Sequence, residues 1–247
     1  MCMYHKLKWN FCDDRSWRNI CVTDRTLVAG DFVTRIAEIL KGTADGDGSA
    51  GLFEKPDALI LREKDLTDDD YCKLAMQIQP LCKAAGAAFL VSGRMVLAEK
   101  LAIQLAADPE RQPASSGHSG VDGVQLSFAA AQAWYTSCAG EHQETAPGAG
   151  RIDRPSALQL PFGVSVHSSE EAVQAEKFGA SWLIYGHVFA TDCKKGLAPR
   201  GLAALQEVCQ KVNIPVYAIG GIDNRSLQLC LNAGAAGGCR MSGYMKR

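Results

Sequence analysis

The chain has 247 residues, of which 47% are hydrophobic and 21% charged, and its formal net charge at pH 7 is -1. This balance lacks the basic excess that nucleic-acid-binding proteins use to attract phosphates. The sequence has no apolar run long enough to span a membrane, and residues 1–10 lack the apolar core of a signal peptide. We therefore expect no nucleic-acid partner and no membrane partner.

Ten cysteines are scattered along the chain, and none of them belongs to a Cys-x-x-Cys pair. Such pairs are typical of metal binding or of redox chemistry. Isolated cysteines in a chain of this length are typical of reduced, packed thiols. We therefore expect a cytoplasmic protein.

Strand and helix patterns alternate along the chain from Ile20 onward. The strands are predicted at Ile20–Asp24, Asp57–Glu63, Ala87–Ser92, Val121–Ser127, Phe162–His167, Ser181–Val188, Ile214–Ile219 and Gly237–Met241. The helices are predicted at Phe32–Leu40, from Thr67 to near Gly86, and at Met95–Ala107, Ala129–Cys138, Ser169–Phe178, Leu202–Val212 and Asn224–Ala233. Eight strands in strict alternation with helices predict an α/β fold, the (β/α)8 TIM barrel with eight parallel strands. The helix after the eighth strand is predicted to be short or missing.

A barrel of this kind takes about 250 residues, so we predict a single domain over residues 1–247. Residues 1–19 are predicted to be an N-terminal extension. Three stretches rich in Gly, Ser, Pro and acidic residues are predicted to be loose insertions, at 42–56, 108–120 and 141–158.

One histidine stands where the fifth strand ends. Gly163, Ser165 and His167 alternate with Val164 and Val166, which predicts that the valines face the helix layer and the other three face the barrel interior. Small inward residues predict a cavity with the histidine at its mouth. Because active sites lie at this end of a TIM barrel and imidazole exchanges protons near neutral pH, His167 is the candidate catalytic residue. The alternative is that His167 is a structural residue whose own hydrogen bonds are satisfied at the strand end.

Five further side chains lie at or after strand ends and are candidates for binding a substrate: Arg62, Lys64, Gln125, His187 and Lys194. Each has a simpler alternative. The two cations near the second strand can pair with neighbouring acids, and the glutamine can fill an interior layer of the barrel. His187 can simply orient its own loop, and Lys194 can be solvated without contacting a substrate.

Glycines follow both of the last two strands, at Gly220, Gly221 and Gly243, with Ser242 beside the third. Because glycine lets backbone N–H groups approach an anion, and because phosphate sites recur at this position in TIM barrels, these four residues predict phosphate binding. The alternative for the first two is a simple turn.

These residues carry a resemblance to the thiamin phosphate synthase superfamily. The matching strings are Ser165–Glu176, Tyr185–Leu197, Ala218–Ile222 and Met241–Gly243, with Val22–Arg25 and Leu61–Asp65 as looser matches. The strings Tyr-Gly-His-Val-Phe from Tyr185 and Thr-Asp-Cys-Lys-Lys-Gly from Thr191 are most similar to its thiazole tautomerase branch, the TenI-type proteins.

The two branches of the superfamily differ in their requirements. The resemblance implies that the synthase joins a pyrimidine diphosphate to a thiazole phosphate with loss of pyrophosphate, chemistry in which carboxylates hold magnesium. The family pattern places Asn-Asp after the third strand and an acidic run after the fourth, whereas this chain has Ser92-Gly93 and Ser127–Ala130. We therefore expect no metal site, and we expect the tautomerase, an isomerase that needs neither metal nor other cofactor.

The resemblance also implies the substrate. A carboxythiazole phosphate tautomer would be aromatised by a proton shift, with His167 as general acid and base. Two alternatives stay open: thiamin phosphate synthase, which is a transferase, and a regulatory barrel that binds thiazole or thiamin phosphates without turnover. Barrels of this family often self-associate, so a homo-oligomer is compatible with the sequence.

Overall fold

The computed structural model describes residues 17–42, 54–107, 120–140 and 160–246. Eight parallel strands close into a barrel in chain order, with the eighth strand paired to the first. The strands are β1 Asn19–Val22, β2 Ala58–Leu61, β3 Ala88–Ser92, β4 Gly123–Ser127, β5 Phe162–Val166, β6 Trp182–Gly186, β7 Val216–Ile219 and β8 Gly237–Arg240. The TIM-barrel prediction is confirmed. The predicted extension 1–19 and the predicted insertions 42–56, 108–120 and 141–158 fall largely outside the described residues.

A helix follows each strand on the outside of the barrel. The helices are α1 Phe32–Lys41, α2 Asp68–Ala85, α3 Met95–Ala107, α4 Phe128–Gly140, α5 Ser169–Lys177, α6 Gly201–Lys211, α7 Asn224–Asn232 and α8 Ser242–Met245. The last of them has four residues, as the sequence predicts. No helix in the described part of the chain is long and apolar enough to cross a membrane.

Short polar side chains set where several helices begin. Each of them accepts a hydrogen bond from a backbone N–H of the first helical turn, which would otherwise lack a partner. These N-cap residues are Asp31 for α1, Thr67 for α2, Ser168 for α5 and Asp223 for α7. Ser168 stands two residues after the end of β5, so its cap also fixes the length of the connection that carries His167.

The strand residues divide between two apolar layers. Val164 and Val166 are buried between the sheet and the helices, as the alternation predicts. The inner layer fills the barrel and includes Ile60, Leu90 and Trp182.

The space beside Gly163 is filled, so the cavity predicted there from small inward residues is wrong. The indole of Trp182 occupies it, and a Cβ atom added at Gly163 would overlap the indole ring. Gly123 makes a second notch, since a Cβ there would lie 2.7 Å from Cη2 of the same indole. Trp182 Nε1 donates a hydrogen bond to Gln125 Oε1 at 2.7 Å. Trp17 packs edge-on against this indole, with the ring centroids 5.3 Å apart.

The short helix α8 is held by contacts from distant parts of the chain. Arg35 of α1 donates from Nε and Nη2 to the carbonyl oxygen of Tyr244, at 3.0 and 2.7 Å. The Tyr244 hydroxyl donates to the carbonyl oxygen of Glu54 at 2.8 Å, and the side chain is buried. These bonds hold α8 against α1 and against the chain segment that precedes β2.

Candidate active site at the carboxyl ends of the strands

The carboxyl ends of the eight strands meet at one end of the barrel, where TIM-barrel enzymes place their chemistry. All eight connections from a strand to the following helix lie within the described residues. The positions of the side chains on this face are therefore known for every strand end.

His167 lies directly after β5 and is exposed at the barrel mouth. Its ring Nδ1 is 2.8 Å from the carbonyl oxygen of Gly186 at the end of β6. Because a carbonyl oxygen can only accept a hydrogen bond, Nδ1 carries the proton in this contact. The backbone N–H of His167 donates to Glu171 Oε2 at 2.6 Å. Ring and backbone are thus both anchored, and Nε2 is the ring nitrogen left for a substrate.

Arg200 is a site residue that the sequence analysis missed. Its Nε donates to the same Gly186 carbonyl oxygen at 3.0 Å, and its backbone N–H donates to the His187 carbonyl oxygen, also at 3.0 Å. The side chain is otherwise exposed. A lone arginine before a helix matches no motif of its own. Its place in the connection from β6 to α6 is the signal that could have found it.

His187 is packed against its own loop. It is 8% exposed, and its Nε2 lies 3.3 Å from the Leu197 carbonyl oxygen. A Cβ atom at Gly220 would overlap the His187 Cβ atom. This geometry matches the alternative in which His187 orients its loop, and it leaves His167 as the more accessible histidine.

The four predicted phosphate-binding residues lie on the neighbouring ends of β7 and β8. Gly220 and Gly221 have positive φ angles of 97° and 67°, which side chains rarely adopt. A Cβ at Gly221 would also lie 2.7 Å from the Ala190 carbonyl oxygen, so close packing of the preceding loop needs a glycine there as well. Ser242 and Gly243 form the first turn of α8 and are half-buried.

Three predicted cationic residues lie in the connections that follow β2 and β6. Arg62 is half-buried two residues beyond the inward-facing Ile60, and its backbone N–H donates to Thr23 Oγ1 at 2.9 Å. Lys64 and Lys194 are exposed. None of these three cations forms an ion pair with an acid in the ranges that the structure covers.

Gln125 lies below the mouth instead of in it. It is 5% exposed and accepts the bond from Trp182, while its Nε2 donates to Ser165 Oγ at 3.1 Å. Both ends of the amide are therefore engaged inside the barrel, which matches the alternative that Gln125 fills an interior layer.

Carboxylates near the mouth are tied to protein partners. Glu63, 2% exposed at its side chain, accepts from Thr23 Oγ1 at 2.7 Å and pairs with Arg25 at 3.3 Å. Arg25 also binds Asp65, and this hydrogen-bonded contact holds the pKa of that carboxyl below its ordinary range. Asp68 pairs with Arg94 after β3.

These residues do not fit the magnesium ion that synthase chemistry implies. The ends of β3 and β4 offer only the hydroxyls of Ser92 and Ser127. No group of three or more His, Cys, Asp or Glu side chains that could hold a metal occurs among the residues described. Glu63, Asp65 and Asp68 are held in ion pairs with arginines, so a metal ion would have to displace those partners.

Together, the closed parallel barrel and its polar strand ends define a TIM-barrel protein with a candidate active site at the carboxyl face. Residues 20–108 and 150–244 match the family described as thiamine monophosphate synthase, and the chain belongs to that family. A protein of Aquifex aeolicus named putative thiamine-phosphate synthase 2 is 30% identical over 229 residues, which is 93% of this chain and 98% of the relative.

Two further comparisons agree with that assignment. The thiamine-phosphate synthase of Chlorobium phaeovibrioides is 33% identical over 180 residues, which is 72% of this chain and 70% of the relative. The solved structure of thiamine phosphate pyrophosphorylase from Pyrococcus furiosus superposes with a TM-score of 0.61 at 27% identity, and the match covers 92% of this chain and 86% of that chain.

The prediction of a thiazole tautomerase is therefore wrong, and so is its classification as an isomerase. Superfamily membership is confirmed, but the two sequence relatives are named thiamine-phosphate synthase, one of them as putative, and a synthase of this kind is a transferase. The tautomerase prediction depends on the missing carboxylates after β3 and β4. The similarity to the synthases extends over the whole barrel, and it outweighs the difference at those two strand ends.

Proposed function

We propose that this protein is a transferase of the thiamin phosphate synthase type. It would join a pyrimidine diphosphate to a thiazole phosphate and release pyrophosphate. The observation that carries the proposal is the 30% identity, over 93% of this chain, to the Aquifex aeolicus protein named putative thiamine-phosphate synthase 2. Seven described cysteines have free thiols, namely Cys21, Cys72, Cys82, Cys193, Cys209, Cys230 and Cys239, which supports a cytoplasmic location.

The reaction defines what the site must do. The thiazole ring nitrogen attacks the methylene carbon of the pyrimidine, so a C–N bond forms as the C–O bond to the diphosphate breaks. The electron pair of that C–O bond leaves with pyrophosphate. The protein must therefore hold two anionic substrates side by side and stabilise the charge that grows on the leaving group.

The thiazole phosphate fits the ends of β7 and β8. Gly220 and Gly221 present backbone without side chains, and the Ser242 hydroxyl can add a donor next to Gly243. Backbone N–H groups arranged in this way make anion-binding concavities. The diphosphate would then lie toward the cationic end of β2, at Arg62 and Lys64, with Lys194 as a further cation in the loop after β6.

His167 would act on the leaving group. Its Nδ1–H is held by the Gly186 carbonyl oxygen, which fixes the plane of the ring. When the imidazole is protonated, Nε2–H can donate to a pyrophosphate oxygen while the C–O bond breaks. A positioned proton donor of this kind contributes about 10²- to 10⁴-fold in rate.

A two-substrate assay tests the proposal. The protein is incubated with the pyrimidine diphosphate and the thiazole phosphate, and thiamin phosphate and pyrophosphate are measured as they form in equal amounts. We expect His167→Asn to lower turnover about 100-fold or more. The matched histidine variant, His187→Asn, should cost much less, because that ring packs against its own loop. Absence of product with the unaltered protein would contradict the transferase assignment.

A further inference from the structure

At the strand-end face, three carboxylates form ion pairs with arginines, whereas two other arginines form no ion pair with a described acid. The acids Glu63, Asp65 and Asp68 are all committed to arginines within the protein. Arg62 directly follows β2 and Arg200 directly precedes α6, and neither forms an ion pair with a described carboxylate. This pattern favours an anionic ligand over a metal ion at the same place.

Arg200 is held in a geometry suited to a phosphate group. Its Nε is committed to the Gly186 carbonyl oxygen, which leaves the two terminal nitrogens of the guanidinium for another acceptor. The planar guanidinium binds two phosphate oxygens at once through parallel N–H bonds. His167 Nδ1 and Arg200 Nε both lie within 3.0 Å of one oxygen atom. The arginine is therefore adjacent to the proposed proton donor.

Arg62 offers a second guanidinium from the other side of the mouth. It directly follows β2, and continuing the alternation of that strand from the inward-facing Ile60 would direct its side chain toward the barrel axis. Two guanidinium groups carry the same total charge as one divalent cation. They can therefore offset the charge of a diphosphate without any of the carboxylates that a magnesium ion would need.

We propose that Arg200 and Arg62 neutralise the diphosphate in place of a divalent metal ion, so that this protein binds pyrophosphate without magnesium. The inference rests on the proposed transferase function for the identity of the ligand. It differs from that function because it concerns only the binding of pyrophosphate, which can be measured whether or not the protein forms product.

Calorimetric titration with inorganic pyrophosphate tests the inference. The titration is done on the unaltered protein in EDTA and again with excess magnesium, and equal affinity within a factor of about two is expected. In EDTA, Arg200→Gln should weaken binding about 10- to 100-fold, the range for loss of a charged hydrogen-bond donor. Arg200→Lys should fall in between, since it keeps the charge but loses the planar fork. Arg62→Gln should also weaken binding.

Arg18→Gln is the matched control. Arg18 is exposed immediately before β1, at the opposite end of the strands, so the same loss of charge there should leave affinity unchanged. No binding in EDTA, or unchanged affinity in Arg200→Gln, would overturn the inference. Product formation that depends on magnesium would support the transferase and defeat this inference. Pyrophosphate binding that does not depend on magnesium, in a protein that forms no product, would support this inference and contradict the transferase.

Discussion

Gly163→Ala tests whether the Trp182 indole fills the barrel interior. The added Cβ atom would overlap the indole, so the ring must move away from β5. Overpacking of a core costs about 1–3 kcal/mol. Displacement would also break the bond from Trp182 Nε1 to Gln125 Oε1, which is worth about 1 kcal/mol. We therefore expect the free energy of unfolding, measured in urea by circular dichroism, to fall by about 2–4 kcal/mol.

A double-mutant cycle separates this contact from a general effect of alanine in a strand. Trp182→Leu removes the pyrrole ring atoms that the new Cβ would meet. In that background, Gly163→Ala should cost less than about 1 kcal/mol, because the space is then open. Equal costs of Gly163→Ala in both backgrounds would refute the packing argument.

Two other predictions follow from buried groups. Glu63→Ala should lower the free energy of unfolding by about 1–3 kcal/mol in urea, since it leaves the buried Thr23 hydroxyl without its acceptor, and an unchanged midpoint would contradict this. Burial raises the pKa of the Cys21 and Cys239 thiols, whereas Cys193 is exposed. Iodoacetamide at neutral pH followed by peptide mapping should therefore label Cys193 first and the two buried thiols only in denaturant. Simultaneous labelling of all three would contradict the described packing.

The fold follows from local signals that the sequence shows directly. The N-cap residues Asp31 and Thr67 mark the first residues of their helices, and α3 has the bounds predicted for it. The second strand was predicted to run to Glu63, but β2 ends at Leu61. Beyond that residue the backbone bonds to the Thr23 side chain instead of a neighbouring strand, and no periodic pattern reports such a contact.

Contacts between distant residues limited what could be predicted of the site. His167 was found because its environment depends on the alternation of one strand. Gln125 and Trp182 lie 57 residues apart, so their hydrogen bond and the filling of the interior leave no local trace. Arg200 was missed for the same reason, because its role comes from a carbonyl on a different element.

His167 and Arg200 share one hydrogen-bond acceptor, the main-chain carbonyl oxygen of Gly186. No substitution can delete this acceptor, so the histidine and the arginine keep their common anchor however the neighbouring side chains change. The anchor can only be moved. A side chain at Gly186 would collide with the Ile219 carbonyl oxygen on β7, so the end of β6 would have to shift. A shift of the Gly186 carbonyl oxygen would change the hydrogen bonds of both His167 and Arg200, so a single substitution on β6 would act on both side chains at once.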